Sequence, residues 1–194
     1  MNPLSKGNAP TNNSLDGERA GLRVAQDRLA VRVAIALGGN LGDTRQILSD
    51  AVKALDEVAG LDVSATSRLY KTAPVGPPQP DYLNACVLAD TTLAPSALLV
   101  QLLAIEQQFG RVRKERWGAR SLDLDLLFFG DQVIDAPLLT VPHPRLHERA
   151  FVLFPLADVS PDWSHPILGK TTMQLLTQLS ANGPTHGVEQ ISAL

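Results

Sequence analysis

Two aspartates within an apolar segment are the residues of this chain best suited to chemistry. Asp123 and Asp125 interrupt a run of leucines and phenylalanines that ends at Phe129. On a β-strand, residues two apart point to the same side, so the two carboxylates are predicted to share one face. Parallel anions in apolar surroundings repel each other and lose hydration, and a bound divalent cation removes that penalty. The pattern therefore predicts a strand face that binds a metal ion.

The segment before these aspartates is densely cationic, although the 194-residue chain has a net charge of −3. Its basic residues are Arg111, Arg113, Lys114, Arg116 and Arg120. Guanidinium groups pair with phosphate oxygens, and carboxylates hold magnesium on such oxygens. Together the two features predict a site for a polyphosphate and phosphoryl-transfer chemistry.

The composition bounds the class of protein. The length and the 44% hydrophobic content fit a globular domain, predicted over residues 31–194, with residues 1–30 as an N-terminal extension. Aromatic residues make up 5% of the chain and the cations are confined to one loop, which disfavours nucleic-acid binding. Because we find no apolar segment of transmembrane or signal-peptide type, we expect a cytoplasmic protein without a membrane partner. We also expect a monomer.

The order of the predicted elements is β-α-β-β-α-β. They are a strand over Val31–Leu37, a helix from Ile47 to Ala59, a strand over Leu61–Tyr70, a proline-rich loop over Thr72–Asp81, a strand over Tyr82–Leu93, a helix from Pro95, the aspartate strand, and a hairpin turn at Gly130 into Gln132–Ile134. This order predicts an α+β, ferredoxin-like fold with an antiparallel sheet and extra C-terminal elements.

Two nucleotide-binding folds are disfavoured by the same pattern. The glycine-rich turn after the first strand lacks the full G-x-G-x-x-G spacing, and a dinucleotide fold would need a crossover helix where the proline-rich loop stands. The Gly169-Lys170-Thr171 triplet resembles the end of a P-loop, but position 164 is a serine where that motif has its first glycine.

Several blocks, in a consistent order from about Val31 to Trp163, resemble the 6-hydroxymethyl-7,8-dihydropterin pyrophosphokinases of folate synthesis. The blocks are Ala36–Gly42, Tyr70–Gly76, Pro80–Asn84, Ile105–Glu106, Gly110–Arg113, Arg116–Asp125 and Leu139–Pro144. That family transfers the β,γ-diphosphate of ATP to the hydroxymethyl oxygen of the reduced pterin and releases AMP. The resemblance implies this activity here, with ATP as co-substrate and two Mg²⁺ ions.

The resemblance also implies roles for individual residues. Those implied in catalysis are Arg111, Arg120, Asp123 and Asp125, and the two aspartates hold the metal ions. Those implied at the ATP site are Glu106, Arg111, Arg113, Leu126, Thr140, His143 and Arg149. Those implied around the pterin are Thr72, Val75, Tyr82, Asn84, Trp117 and Phe151. Two positions depart from the family pattern, because Ala119 replaces a usual proline and Leu138 stands where some members have an arginine.

Several alternatives stay open from the sequence. A different enzyme on the same scaffold could use magnesium and ATP with another acceptor alcohol, and a non-catalytic module could bind RNA or a protein. Glu106 is equally consistent with an ATP contact and with a residue at the edge of the apolar helix stripe. His143 and His147 are four apart, but Pro144 disfavours a helical metal pair. We identify no general base for the substrate hydroxyl.

Overall fold

The computed structural model describes residues 29–74, 78–110, 118–182 and 187–194, and of Asn182 and Ala193 the main chain alone. The strands are β1 (Val31–Gly39), β2 (Leu61–Thr66), β3 (Arg68–Thr72), β4 (Tyr82–Thr91), β5 (Asp123–Phe129), β6 (Ile134–Ala136), β7 (Leu139–Val141) and β8 (Val188–Ala193). The α-helices are α1 (Thr44–Asp56), α2 (Pro95–Gln108), α3 (Ala150–Val159) and α4 (Thr172–Asn182), and a short 3₁₀-helix covers Leu146–Glu148.

One antiparallel sheet organises these elements. Its strands lie in the order β5-β1-β4-β3-β8, and β2 also pairs with β4. The first strand, β1, is central and pairs antiparallel with β4 on one side and with β5 on the other. This arrangement confirms the predicted ferredoxin-like α+β fold, and α3, α4 and β8 are its additional C-terminal elements.

Helices cover both faces of the sheet. Successive side chains of a strand point to opposite faces, so alternate residues of β1 enter two separate cores. Val33 and Ile35 join the core beneath α1 and α2, whereas Ala34 joins the core beneath α3 and α4. The sheet is therefore the middle layer of three. In the ranges described above, none of the helices has both the length and the apolar character needed to cross a membrane.

The prediction of one strand over Leu61–Tyr70 is wrong, because Ser67 divides this segment into β2 and β3. The Ser67 Oγ accepts a hydrogen bond from the N–H of Cys86 at 2.8 Å, and the Ser67 N–H donates to the Cys86 carbonyl at 2.9 Å. The hydroxyl thus takes the place of a main-chain carbonyl in the ladder. Helix α1 also ends earlier than predicted, at Asp56.

The predicted hairpin from the aspartate strand into Gln132–Ile134 is also wrong. The Gly130 turn donates its N–H to the Arg32 carbonyl at 2.7 Å, on the β1 side of β5. On the other edge of β5, the Leu127 carbonyl accepts the N–H of His143 at 2.9 Å. That edge is bonded to the segment after β7, and β6 pairs with β7 in a separate two-stranded sheet. This connection brings His143 alongside the aspartate strand.

Candidate active site

The two aspartates share one face of β5, as the sequence predicts. Asp123 and Asp125 are partly exposed, whereas the intervening Leu124 is buried in the core beneath α1 and α2. Across the sheet, Asp123 is paired with Gly38 and Asp125 with Ala36. Because paired residues of neighbouring strands point to the same face, these small residues leave space beside both carboxylates.

Three other segments place polar groups near the carboxylates. Arg120 Nη1 lies 2.8 Å from Asp123 Oδ2, and Arg149 Nη1 lies 3.9 Å from Asp125 Oδ2. His143 Nε2 is also 3.9 Å from Asp125 Oδ2. Burial is the main reason that the pKa of His143 lies below its usual value, with Asp125 opposing the shift and Arg149 adding to it. Burial likewise lowers the pKa of Arg149.

The main chain orients the imidazole of His143. Its Nδ1 accepts a hydrogen bond from the Arg145 N–H at 3.2 Å. A neutral imidazole has one donor and one acceptor nitrogen, so the proton is assigned to Nε2, the nitrogen that faces Asp125. His143 thereby presents an N–H donor that suits a phosphate oxygen. His147 points elsewhere, because its ring lies edge-on to that of His165 with centroids 6.1 Å apart.

The donor set on this face suits a magnesium ion that arrives with a nucleotide. In the parts of the chain given above, we find no cluster of three or more histidine, cysteine, aspartate or glutamate side chains that could hold a metal ion. Magnesium is commonly bound by one or two carboxylates together with water and substrate phosphates. Asp123 and Asp125 supply hard oxygen ligands, and 39% of the Asp125 side chain is exposed. The residues present therefore fit Mg²⁺ with phosphate oxygens as further ligands.

Three residues predicted around the pterin meet on the same face. Asn84 is paired with Gly38 of β1, one strand away from the carboxylates. Its Nδ2 donates a hydrogen bond to the Oγ1 of Thr72 at 2.9 Å, and both side chains are buried. The Tyr82 hydroxyl donates to the Gly118 carbonyl at 3.3 Å, at the end of the cationic segment. The fold thus brings these three side chains together next to the metal-binding candidates.

The other predicted ligand-contact residues are placed less uniformly. The Arg149 guanidinium carbon lies 5.6 Å from the centroid of the Phe151 ring, at the start of α3. Thr140 is exposed on β7, whereas the Leu126 side chain is buried beneath α1 and α2, on the far side of β5 from Asp125. Contacts of Thr140 and Leu126 with ATP stay predictions. The predicted residues outside the described ranges are Val75, Arg111, Arg113 and Trp117.

Glu106 is the predicted ATP-site residue whose surroundings the sequence left undecided. It lies on α2 and is 1% exposed. Its Oε1 accepts a hydrogen bond from the Leu124 N–H at 2.8 Å. The carboxylate therefore bonds to the main chain of the aspartate strand instead of extending toward solvent.

Asn40 is a residue of this region to which the sequence assigned no role. Its Nδ2 donates to the Oε1 of Gln79 at 3.0 Å and to the Pro80 carbonyl at 2.9 Å. Its Oδ1 accepts the N–H of Arg120 at 2.9 Å, and the residue is 4% exposed. One buried amide thus joins the turn after β1, the proline-rich loop and the end of the cationic segment. The sequence feature that could have indicated this role is the position of the asparagine directly after Gly39 in a glycine-rich turn.

Comparison with known proteins identifies one family. The family model described as 7,8-dihydro-6-hydroxymethylpterin-pyrophosphokinase matches residues 34–161. A relative from Synechocystis sp. is 50% identical over 145 residues, which is 75% of this chain and 74% of that protein. A relative from Pseudomonas aeruginosa is 44% identical over 161 residues, 82% of this chain and 96% of that protein. Both are named 2-amino-4-hydroxy-6-hydroxymethyldihydropteridine pyrophosphokinase.

Solved structures support the fold. A Plasmodium falciparum HPPK-DHPS structure with pteroate aligns with a TM-score of 0.69 at 15% identity, over 86% of this chain and 48% of that one. An A437G HPPK-DHPS structure from the same organism aligns with a TM-score of 0.68 at 16% identity, over 86% of this chain and 50% of that one. The chain therefore spans about half the length of these solved chains, and at such identity the likeness concerns the fold alone.

Proposed function

The chain belongs to the 7,8-dihydro-6-hydroxymethylpterin-pyrophosphokinase family, and we propose that the aspartate-bearing face of β5 is its active site. The enzyme transfers the β,γ-diphosphate of ATP to the hydroxymethyl group of 6-hydroxymethyl-7,8-dihydropterin, giving the pterin diphosphate and AMP in folate synthesis. The observation that carries the proposed site is the convergence on Asp123 and Asp125 of Arg120, Arg149 and His143.

The triphosphate of ATP is proposed to lie over the two carboxylates. Asp123 and Asp125 would hold Mg²⁺, which when bound neutralises charge on the phosphate oxygens and braces the reacting ones. Arg120 and Arg149 lie at the same carboxylates, so they are placed to bind phosphate oxygens of the nucleotide. The Nε2–H of His143 adds a further donor, because its Nδ1 accepts the Arg145 N–H, and burial shifts the pKa of this imidazole below its usual value.

The transfer needs positioning and charge neutralisation rather than a covalent enzyme intermediate. The hydroxymethyl oxygen of the pterin attacks the β-phosphorus of ATP, and a new oxygen–phosphorus bond forms. The bond between that phosphorus and the α,β-bridging oxygen breaks, and AMP leaves with its electron pair while the hydroxyl proton is released. Guanidinium donors such as Arg120 stabilise the charge that develops on the phosphoryl oxygens.

The pterin is proposed to bind over the buried polar pair next to the carboxylates. Asn84 and Thr72 are hydrogen-bonded to each other, which fixes the orientation of the Asn84 amide toward a flat heterocycle with a polar edge. Gly38 leaves room for this amide, since a Cβ at position 38 would lie 3.1 Å from the Asn84 Oδ1. Tyr82 and Phe151 are proposed as aromatic walls.

The remaining parts of the proposal rest on the sequence. Two Mg²⁺ ions are proposed per active site, and Arg111 and Arg113 are proposed to bind phosphate while Trp117 and Val75 contact the pterin. We propose that the protein works as a cytoplasmic monomer on small molecules, without nucleic acid or membrane. Residues 1–30 are proposed to be an extension outside the domain, which fits the start of the family match at residue 34.

Product analysis with a pair of aspartate variants tests the proposed site. The protein is incubated with ATP, Mg²⁺ and the reduced pterin, and AMP and ADP are separated by chromatography. Asp125→Asn keeps the shape but removes the charge, and it should lower kcat at least about 100-fold because metal stabilisation is worth several kcal/mol. Asp131→Asn, in the exposed turn after β5, is the matched control and should match the unaltered protein.

Each other outcome of this experiment has a defined meaning. Near-normal AMP release by Asp125→Asn would contradict the proposed metal site. ADP instead of AMP would indicate transfer of a single phosphoryl group, as by a different kinase on the same scaffold. If the unaltered protein forms neither product, a nucleotide titration with and without Mg²⁺ follows, and absence of magnesium-dependent ATP binding would indicate a binding module.

A further inference from the structure

A buried carboxylate lies behind the proposed active site. Glu106 of α2 is 1% exposed, and its helix neighbours Leu102 and Ile105 belong to the apolar core. A carboxylate at this depth is costly unless it is paired or hydrogen-bonded, and a leucine would fill the same helix position without that cost. Glu106 uses its Oε1 to accept the N–H of Leu124 at 2.8 Å. The bond offsets part of the burial cost and connects α2 to β5.

The position of Leu124 gives this bond its importance. In an antiparallel pair, residues alternate between those that bond to the partner strand and those whose main-chain groups point to the opposite edge. Leu124 is paired with Leu37 of β1 but donates its N–H to Glu106, so its main chain points outward. The main-chain groups of its two neighbours, Asp123 and Asp125, therefore point toward β1. Glu106 supplies the acceptor that a further strand would otherwise provide between the two carboxylates.

A second bond from the same helix end holds the chain just before β5. The Ser121 Oγ donates to the carbonyl of Phe109, the residue after α2, at 2.5 Å. Between these two attachments lies the start of the strand, next to Arg120 and its contact with Asp123. The end of α2 thus fixes residues 121–124 at two points.

We propose that Glu106 is a positioning residue, which acts through the Leu124 N–H to fix the placement of Asp123 and Asp125 for the magnesium–nucleotide complex. The inference rests on the proposed function of this face. It assigns Glu106 a role through the strand main chain, and this role needs an acceptor oxygen at the right reach more than it needs a negative charge.

Three substitutions of Glu106 distinguish the effect of side-chain length from the effect of negative charge. Glu106→Gln keeps the reach and an acceptor oxygen, Glu106→Asp keeps the charge but is one methylene shorter, and Glu106→Leu removes the acceptor. Gln107→Ala, on the exposed side of the same helix, is the control. Each protein is assayed for AMP release against Mg²⁺ concentration, for binding of Mg²⁺ with the unreactive α,β-methylene analogue of ATP by calorimetry, and for its melting temperature.

The proposal predicts a specific order of effects. Glu106→Leu and Glu106→Asp should lower kcat at least about tenfold and raise the Mg²⁺ concentration needed for half-maximal analogue binding, because a hydrogen bond to a charged group is lost. Glu106→Gln should recover most of both losses.

Two results would overturn this inference without touching the proposed function. If Glu106→Asp keeps activity while Glu106→Gln raises the KM for ATP, the charge contacts the nucleotide directly. If all three variants lower the melting temperature but leave kcat and the magnesium dependence of the folded protein unchanged, Glu106 is structural alone. Failure of the unaltered protein to form AMP would instead contradict the function itself.

Discussion

Replacing Gly39 with alanine is expected to destabilise the fold and to displace Arg120 of the proposed active site. A Cβ built at position 39 lies 2.3 Å from the carbonyl oxygen of Ser121 and 3.3 Å from the Cγ2 of Thr44. The first contact involves main-chain atoms, which cannot rotate away as the end of a side chain can. To reach the 3.0 Å below which real Cβ atoms are essentially never found, Ser121 must retreat by about 0.7 Å.

The magnitude follows from the bonds next to Ser121. The Arg120 carbonyl accepts the N–H groups of Asn40 and Leu41 at 2.9 and 3.2 Å, and the Arg120 N–H donates to the Asn40 Oδ1 at 2.9 Å. A shift of this size weakens or breaks all three, at roughly 0.5–1.5 kcal/mol each. We therefore expect Gly39→Ala to lower the free energy of unfolding by about 2–4 kcal/mol, or the melting temperature by about 5–15 °C.

Denaturant unfolding and AMP release measure the two consequences. Turnover should fall together with stability, since Arg120 also contacts Asp123. Gly169→Ala is the control, because Gly169 has φ of +62° and no atom within 4 Å of a built Cβ. It should cost about 1–2 kcal/mol through backbone strain and leave turnover unchanged. A Gly39→Ala protein within about 0.5 kcal/mol of the unaltered one would refute the steric argument.

Three further predictions concern charge, pH and chain length. Arg120→Ala, and Arg111→Ala in the cationic segment, should lower kcat far more than ATP affinity in nucleotide titrations, and an equal fall in both would show ground-state binding instead. Burial, with His147 nearby, holds the pKa of His165 below 6.5, so the unfolded chain takes up its proton first as the pH falls. The free energy of unfolding should therefore fall below pH 6.5, by at most about 1.4 kcal/mol per pH unit for this group, and the melting temperature should fall with it. His165→Asn should flatten that dependence. A chain beginning at Arg28 should keep its activity and melting temperature, and a large loss of either would show that the preceding residues dock on the domain.

Local sequence patterns predicted those parts of the fold that depend only on neighbouring residues in the chain. The apolar run of β1 gave a central strand, and the spacing of Asp123 and Asp125 gave a shared face. Pro95 marked the first turn of α2. The N–H groups of the first turn have no acceptor within a helix, so a proline, which has no N–H, costs no hydrogen bond there. These inferences need no knowledge of distant partners.

The features that the sequence did not predict depend on partners far along the chain. Asn40 bonds to residues 39, 40 and 80 positions away, and no pattern around it specifies them. Ser67 divides a strand because its hydroxyl meets the N–H of Cys86, although the alternation of apolar residues runs straight through it. Glu106 shared a helix face with leucines, and its role depended on where the edge of β5 would lie.

The contacts of Arg120 with Asp123 and of Arg149 with Asp125 have a consequence for the order of binding. A metal ion that arrives alone must compete with guanidinium groups for the carboxylates, and a triphosphate that arrives alone must compete with carboxylates for the guanidinium groups. When both arrive together, each charged group exchanges one partner for another. Linkage makes the effect mutual, so the factor by which Mg²⁺ strengthens ATP binding equals the factor by which ATP strengthens Mg²⁺ binding. On the proposed site, these paired contacts would therefore favour binding of the metal ion and the nucleotide together over binding of either one alone.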